Sequence, residues 1–374
     1  MAGSHFTIGV IGANGVVGSE VCLFLRQMDD ITPVPICRTK ISSAFLRRAG
    51  MDCRHGSLAD PPIARGLLAD CDLVVDFSLP RGLPSQFRES ARELIKGVIQ
   101  HSRRSVPFIY ISSTMALGMP SQGGALERYA VARTAYGTLK RYSERLGIRA
   151  GKQFGNPVYV LRLGHVHGEL QPVSRYIVKT LRRERAYIPA GCSHSVFPYT
   201  IAEALADIAR GKHVPGTYTL VSQPQWTWKE LHEFYCWRAG ISADFVEVPP
   251  LNNGHHRSWP EGFRSLVKRL ISPQTVELAK GYALWRTPQL ERRAMAFFFK
   301  YQSESEIRSG QLETRYTPYA SFDSFVGVMP GKRLNGLSDT RPLLKRLSLQ
   351  IRQIVAAASA EPEAELAAGK LESA

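Results

Sequence analysis

Short apolar runs alternate with amphipathic stretches over roughly the first 220 residues of the chain. Residues 6–11, 31–37, 73–77, 108–112 and 158–163 are rich in Val, Ile and Phe. They read as strands of a parallel sheet covered on both faces. Between them, residues 16–28 and 134–146 place their apolar side chains at helical spacing. Strands alternating with helices predict right-handed βαβ crossovers and an α/β fold with a doubly wound parallel sheet. No internal repeat is visible.

The texture changes beyond about residue 249. Phe263, Leu266, Val267, Leu270 and Ile271 recur at helical spacing until Pro273 interrupts them, with Arg264, Lys268 and Arg269 on the remaining face. Leu343, Leu344, Leu347, Ile351 and Ile354 form another such series after Pro342, a residue suited to a first helical turn. Residues 356–374 are mostly Ala, Glu and Ser and predict a frayed helix or disordered tail. The organisation expected is a core over 1–165, completed by about 195–225. A smaller, mainly helical lobe over 166–345 follows, then a C-terminal helix and tail over 346–374.

The 374 residues are 44% hydrophobic and 21% charged, too apolar for a disordered chain. A net charge of +16 favours anionic partners: phosphates, nucleic acid or acidic lipid headgroups. No helix-turn-helix, zinc or RNP-like pattern accompanies the charge, which argues against nucleic acid. Basic side chains in 250–350 interleave with Trp259, Trp285 and Phe297; a solvated basic surface over an apolar core explains most of them, although arginine can pair bidentately with a diphosphate and an aromatic ring can stack on a base. Contact of the 263–271 helix with a membrane surface is the weaker alternative. No apolar run approaches the ~20 residues of a membrane span, and residues 1–7 lack the pattern of a signal peptide. Six cysteines without CxxC spacing predict buried thiols in a reducing compartment and no metal site, so a cytoplasmic location is expected.

Gly12, Gly15 and Gly18 follow directly on the first strand and open a helix. Gly12 permits a tight turn, Gly15 lets backbone amides approach a pyrophosphate, and Gly18 brings the helix close to the sheet. The helix N-terminus then directs unpaired amides at the phosphates. In this strand–turn–helix context the spacing predicts dinucleotide binding and a Rossmann-like core. A carboxylate at the end of the second strand would hold the ribose hydroxyls; Arg38 stands there instead, followed by Thr39 and Lys40. A guanidinium pairs with a 2′-phosphate, so NADP is favoured over NAD.

Tyr136 and Lys140 stand four residues apart in a helical stretch, on one face. Hydride transfer at a carbinol needs a base for the hydroxyl proton, and a phenol of pKa ~10 must be lowered to serve. Lys140 and an oxidised nicotinamide ring would supply that electrostatically. Upstream, the strand at 108–112 runs into Ser112, Ser113 and Thr114, hydroxyls at the C-terminal end of a parallel strand, where such sheets bind ligands.

Together, Gly12-x-x-Gly15-x-x-Gly18, the paired serines and Tyr136-x-x-x-Lys140 followed by Glu144 resemble the extended short-chain dehydrogenase/reductases, in particular the nucleotide-sugar NAD-dependent epimerase/dehydratase branch. The stretch from Gly164 to Gly168 is similar to that branch's substrate loop, and the resemblance runs over roughly residues 6–240. It implies Tyr136 as acid/base, Lys140 on the nicotinamide ribose and Ser113 on the reacting oxygen. Ser113 is preferred to Ser112 or Thr114 because it stands five residues before Gly118, as the family's hydroxyl stands before its glycine. Ser113, Thr114 and His165 would meet substrate. The cofactor would lie on Gly12, Asn14, Gly15, Val16, Val17, Gly18, Arg38, Ser57, Leu58, Phe77, Ser78, Tyr136, Lys140 and Leu163. A homodimer is also implied.

Several positions depart from the family's pattern. Thr114 and Met115 stand where its 4,6-dehydratases carry an Asp-Glu pair, so dehydration is disfavoured and hydride plus proton chemistry remains: epimerisation or 4-keto reduction. The usual His-x-Ala-Ala after the fourth strand is Asp76-Phe77-Ser78-Leu79, Ser57 replaces an adenine-contacting Asp, and His165 replaces the loop's Asn. These changes question the substrate more than the activity. Reduction of a non-sugar carbonyl, or regulation by NADPH binding without turnover, are the alternatives.

Overall fold

The computed structural model describes residues 5–79, 84–117, 135–181, 185–248 and 331–371. The expected helix at 263–271 and the aromatic residues Trp259, Trp285 and Phe297 lie outside these residues. The first half runs β1 (Phe6–Ile11), α1 (Val16–Leu25), β2 (Ile31–Cys37), α2 (Ala44–Arg48), β3 (Arg54–His55), α3 (Pro61–Leu68), β4 (Leu73–Asp76), α4 (Pro84–His101), β5 (Phe108–Ser113), α5 (Ala135–Phe154) and β6 (Val158–Leu163). It continues through β7 (His165–Val166), α6 (Pro172–Leu181), β8 (Arg185–Pro189), β9 (Ser195–Val196), α7 (Pro198–Ala209), β10 (Gly216–Leu220), α8 (Trp228–Ala239), β11 (Asp244–Val248) and α9 (Leu344–Leu371).

Seven strands form one sheet in the order β10-β6-β5-β4-β1-β2-β3, every pair parallel. The order reverses between β1 and β4, which opens a crevice at their C-terminal ends. Alternate residues feed opposite faces. Leu73, Val75, Ile109 and Ile111 join a core with α1 and α7, while Val74, Phe108 and Tyr110 join another with α3, α4 and α5. At ~1.5–3 kcal/mol for each fully buried aliphatic side chain, these two layers dominate the stabilisation. The doubly wound parallel sheet is as the sequence predicts. Helix α5 runs eight residues beyond the expected 146, because Ala150 and Phe154 still pack on the second face.

A third cluster of Ile177, Phe197, Trp226, Trp228, Leu231 and Tyr235 lies among α6, α7 and α8, near the two-stranded pair β8–β11. A Thr227–Glu230 capping box starts α8, and Gly240 in the left-handed region ends it. Glu169 accepts hydrogen bonds from Arg238 of α8 and from Ser348 and Arg352 of α9, which ties the chain's last helix to the loop after β7. All six cysteines are unpaired thiols, five of them buried. Among the described residues no helix is long and apolar enough to cross a membrane.

Candidate functional site

The crevice is floored by the glycine turn. Gly12 has φ +72°, and a Cβ there would sit 2.8 Å from the Ser78 nitrogen and 2.9 Å from the Phe77 carbonyl carbon. The turn thus lies directly against the end of β4. A Cβ on Gly18 would meet the Gly12 oxygen at 2.6 Å, so this glycine sets the close approach of α1 to the turn. Gly15 is the N-cap of α1, and no side chain caps the helix there. Its first amides therefore remain available to an anion, and the exposed Asn14, Gly15 and Val16 form an open lip. These features fit a dinucleotide pyrophosphate. Val17 is half-buried against the core.

Arg38, Thr39 and Lys40 are exposed at the end of β2, on the side of the turn where an adenosine ribose would lie. Ser57 is exposed after β3, whereas the side chains of Leu58 and Leu163 are buried in the two core layers. Only their backbones are available to a ligand. Phe77 and Ser78 are half-buried beside Gly12.

Ser113, Tyr136 and Lys140 come together at the C-terminal end of β5. The Ser113 hydroxyl lies close enough to the Tyr136 phenol to act on it. The Ser113 oxygen also accepts the Met115 N–H at 3.2 Å. The Lys140 ammonium lies 5.8 Å from the centre of the Tyr136 ring and 4.9 Å from that of Tyr110. It donates to the Ile111 carbonyl at 2.8 Å and is buried, whereas Tyr136 is 38% exposed at the crevice. The alternation of β5 separates the two serines. Ser112 points inward and donates to Glu144 at 2.6 Å, and Glu144 in turn takes two hydrogen bonds of 2.9 Å from Arg162 of β6. Ser113 is the serine left at the crevice.

Burial pushes the Tyr136 phenol above its ordinary value, and the Ser113 hydroxyl pulls it back. Lys140, expected from the sequence to lower that phenol, is not among the groups that do so here. Burial also pushes Lys140 down to about 8, against the upward pull of Asp76 and Glu144. Thr114 lies half-buried in the 3-10 turn Thr114–Leu117. His165 sits on β7, its ring 6.2 Å from that of Trp228, and burial and the neighbouring His194 push it down to about 4. It is therefore a neutral imidazole near pH 7.

Sequence reasoning passed over Arg162 and Tyr110, which hold this cluster from neighbouring strands. It also passed over Glu20, a buried carboxylate on α1 that accepts the amides of Glu169 and Leu170 at 2.7 and 3.1 Å. A lone acidic residue inside the apolar face of α1 was the available signal.

UDP-N-acetylglucosamine 4-epimerase from Bacillus cereus aligns with 75% of this chain and 100% of its own at 20% identity, TM-score 0.52. UDP-glucuronic acid 4-epimerase from Bacillus cereus, solved with UDP-glucuronic acid and NAD, aligns with 75% of this chain and 99% of its own at 15% identity, TM-score 0.51. At such identities the likeness is one of fold. No curated protein sequence matches the chain. Residues 8–191 match the model of the NAD dependent epimerase/dehydratase family, a span that contains the glycine turn, Ser113, Tyr136 and Lys140. The chain thus matches the NAD dependent epimerase/dehydratase family over 184 of its 374 residues.

Proposed function

We propose that the chain is an NAD(P)-dependent enzyme acting on a nucleotide-activated sugar, as a 4-epimerase or 4-ketoreductase, with NADP preferred to NAD. The observation that carries this reading is the meeting of Ser113 and Tyr136 at the C-terminal end of β5, one helical turn from Lys140 and facing the crevice above the glycine turn. The uncapped N-terminus of α1 and the bare turn at Gly12–Gly18 hold the pyrophosphate, and Arg38 pairs with the 2′-phosphate. Residues 1–165 with 195–225 carry the cofactor, and 166–345 carry most of the sugar contacts.

The bound dinucleotide supplies the hydride acceptor and donor. Tyr136 Oη takes the proton of the sugar hydroxyl during oxidation and gives it back during reduction. Ser113 Oγ orients the reacting oxygen and holds the phenol down against the effect of burial. Lys140 keeps a positive charge one turn below and contacts the nicotinamide ribose. Thr114 and His165 line the sugar side. Thr114 and Met115 offer no acid–base pair, so the chemistry stops at hydride and proton and does not go on to eliminate water.

The test is turnover of a panel of nucleotide sugars by the full chain with NAD or NADPH, wild type against Tyr136→Phe. The variant should fold and bind cofactor normally while turnover falls ~10²–10⁴-fold. Near-wild-type turnover would reject the assignment. Nucleoside diphosphates should also raise the thermal midpoint; protection by NADPH alone moves the reading to a non-sugar carbonyl.

A further inference from the structure

Asp76 has no task in the chemistry above, yet it occupies the centre of the crevice floor. It ends β4, is 1% exposed, and lies in register with Ile11 of β1 on one side and Tyr110 of β5 on the other. It accepts the backbone N–H of Ser78 at 2.8 Å, and the Ser78 hydroxyl also pulls its carboxyl down. A single serine does not offset the burial of a carboxylate; a buried charge needs an opposite charge nearby.

Lys140 is the cation the fold brings to this end of the sheet; burial pushes the Asp76 carboxyl up, and the ammonium and Ser78 pull it back. Its ammonium, 4% exposed, stands over the ring of Tyr110, the register neighbour of Asp76. Two carboxylates act on it, Asp76 and Glu144. Glu144 is already engaged by the Arg162 guanidinium and by Ser112. Apart from Glu144, the other groups around Lys140 bring no counter-charge. From β5 comes Tyr110, a phenol that burial keeps neutral. From α5 itself come Tyr136 and Glu144, and from β6 comes Arg162, turned onto Glu144. The 3-10 turn after β5 carries no titratable side chain, and Arg88 and Arg92 of α4 meet Tyr142 instead.

We propose that Asp76 is a positioning residue, the buried counter-charge that keeps Lys140 an ammonium beneath Tyr136. Its meaning for turnover rests on the roles proposed for Tyr136 and Lys140; the pairing of charges does not. Burial already brings Lys140 to about 8 with both carboxylates in place. Removing the Asp76 charge lowers it further, so the ammonium is lost near neutral pH.

The experiment is an NMR titration of the full chain labelled with [ε-13C]lysine, with the Lys140 signal assigned by its loss in Lys140→Met. In wild type the signal should titrate near 8. Asp76→Asn should move its midpoint down by about one unit or more, a tenfold change in proton affinity, and Asp76→Glu should return it toward wild type. An equal midpoint in wild type and Asp76→Asn overturns the proposal. Should Asp76→Asn not fold, the reciprocal measurement decides: the Asp76 13Cγ midpoint rises in Lys140→Met, or stays put and overturns it. If nucleotide sugars are not turned over but the Lys140 midpoint shifts, the reading of function fails and the role of Asp76 stands. If turnover depends on Tyr136 but the midpoint does not shift, the reverse holds.

Discussion

Replacing Gly12 by Ala puts a Cβ against the backbone of the β4 end, 2.8 Å from the Ser78 nitrogen and 2.9 Å from the Phe77 carbonyl carbon. Backbone cannot swing aside as a flexible side chain does. The position also has φ +72°, where an L side chain is strained by ~1–2 kcal/mol. Overpacking adds ~1–3 kcal/mol, so the expected loss is ~2–5 kcal/mol. Gly15→Ala is the contrasting perturbation. Its φ is −76°, an ordinary value, and the new Cβ meets one backbone oxygen at 3.2 Å. Exchanging a Gly N-cap for Ala should lower stability by only ~0.5–1 kcal/mol. The methyl group instead stands where the pyrophosphate approaches α1, so cofactor affinity should drop at least tenfold, ~1.4 kcal/mol. Urea unfolding followed by far-UV circular dichroism measures the first effect, and NADPH fluorescence titration the second. A Gly12→Ala protein within ~0.5 kcal/mol of wild type would refute the packing argument. Undiminished binding by Gly15→Ala would refute the placement of the phosphates.

Arg38→Ala should weaken NADPH ~10–100-fold while leaving NADH unchanged, the scale of a lost charge-assisted hydrogen bond; equal effects on the two cofactors remove the basis for NADP preference. Glu144→Leu leaves Arg162 buried without its carboxylate and should destabilise the fold by ~3–5 kcal/mol in urea unfolding, with Glu144→Ala similar. Stability should also fall on acidification. Burial holds His165 and His232 down to about 4 from an ordinary 6.5, so the unfolded chain binds their protons first as pH drops. Each imidazole's contribution is complete above pH ~6.5 and is lost towards pH ~4, about 2 kcal/mol of it by pH 5. Glu20 and Asp76, whose carboxyls burial pushes up, act in the opposite direction from the ordinary carboxylate range upward. Urea midpoints at pH 7 and pH 5 in wild type and His232→Gln measure the difference, and an identical drop in both excludes His232 as a source.

The doubly wound sheet was legible because its strands are buried on both faces and read as continuous apolar runs, and because Gly12, Gly15 and Gly18 punctuate the first crossover. β3, two residues long, carries no periodicity to detect, and β8 pairs with β11 across some sixty residues, a distance at which local pattern carries no information. Tyr136 and Lys140 were legible from helical spacing. The division of labour between Ser112 and Ser113 follows from strand alternation once Glu144 and Arg162 are in place. The state of Lys140 was not legible, since it depends on a carboxylate 64 positions upstream that meets it only across two strands.

The ties from Glu169 to Arg238, Ser348 and Arg352 give the far end of the chain a part in closing the fold. A fragment cut before Leu344 would leave that carboxylate short of two donors and would bare the layer on which Leu347 and Ile351 rest. The sheet half of this molecule is therefore not a module that can be excised and grafted; its cross-braces come from α9, far along the chain from the glycine turn.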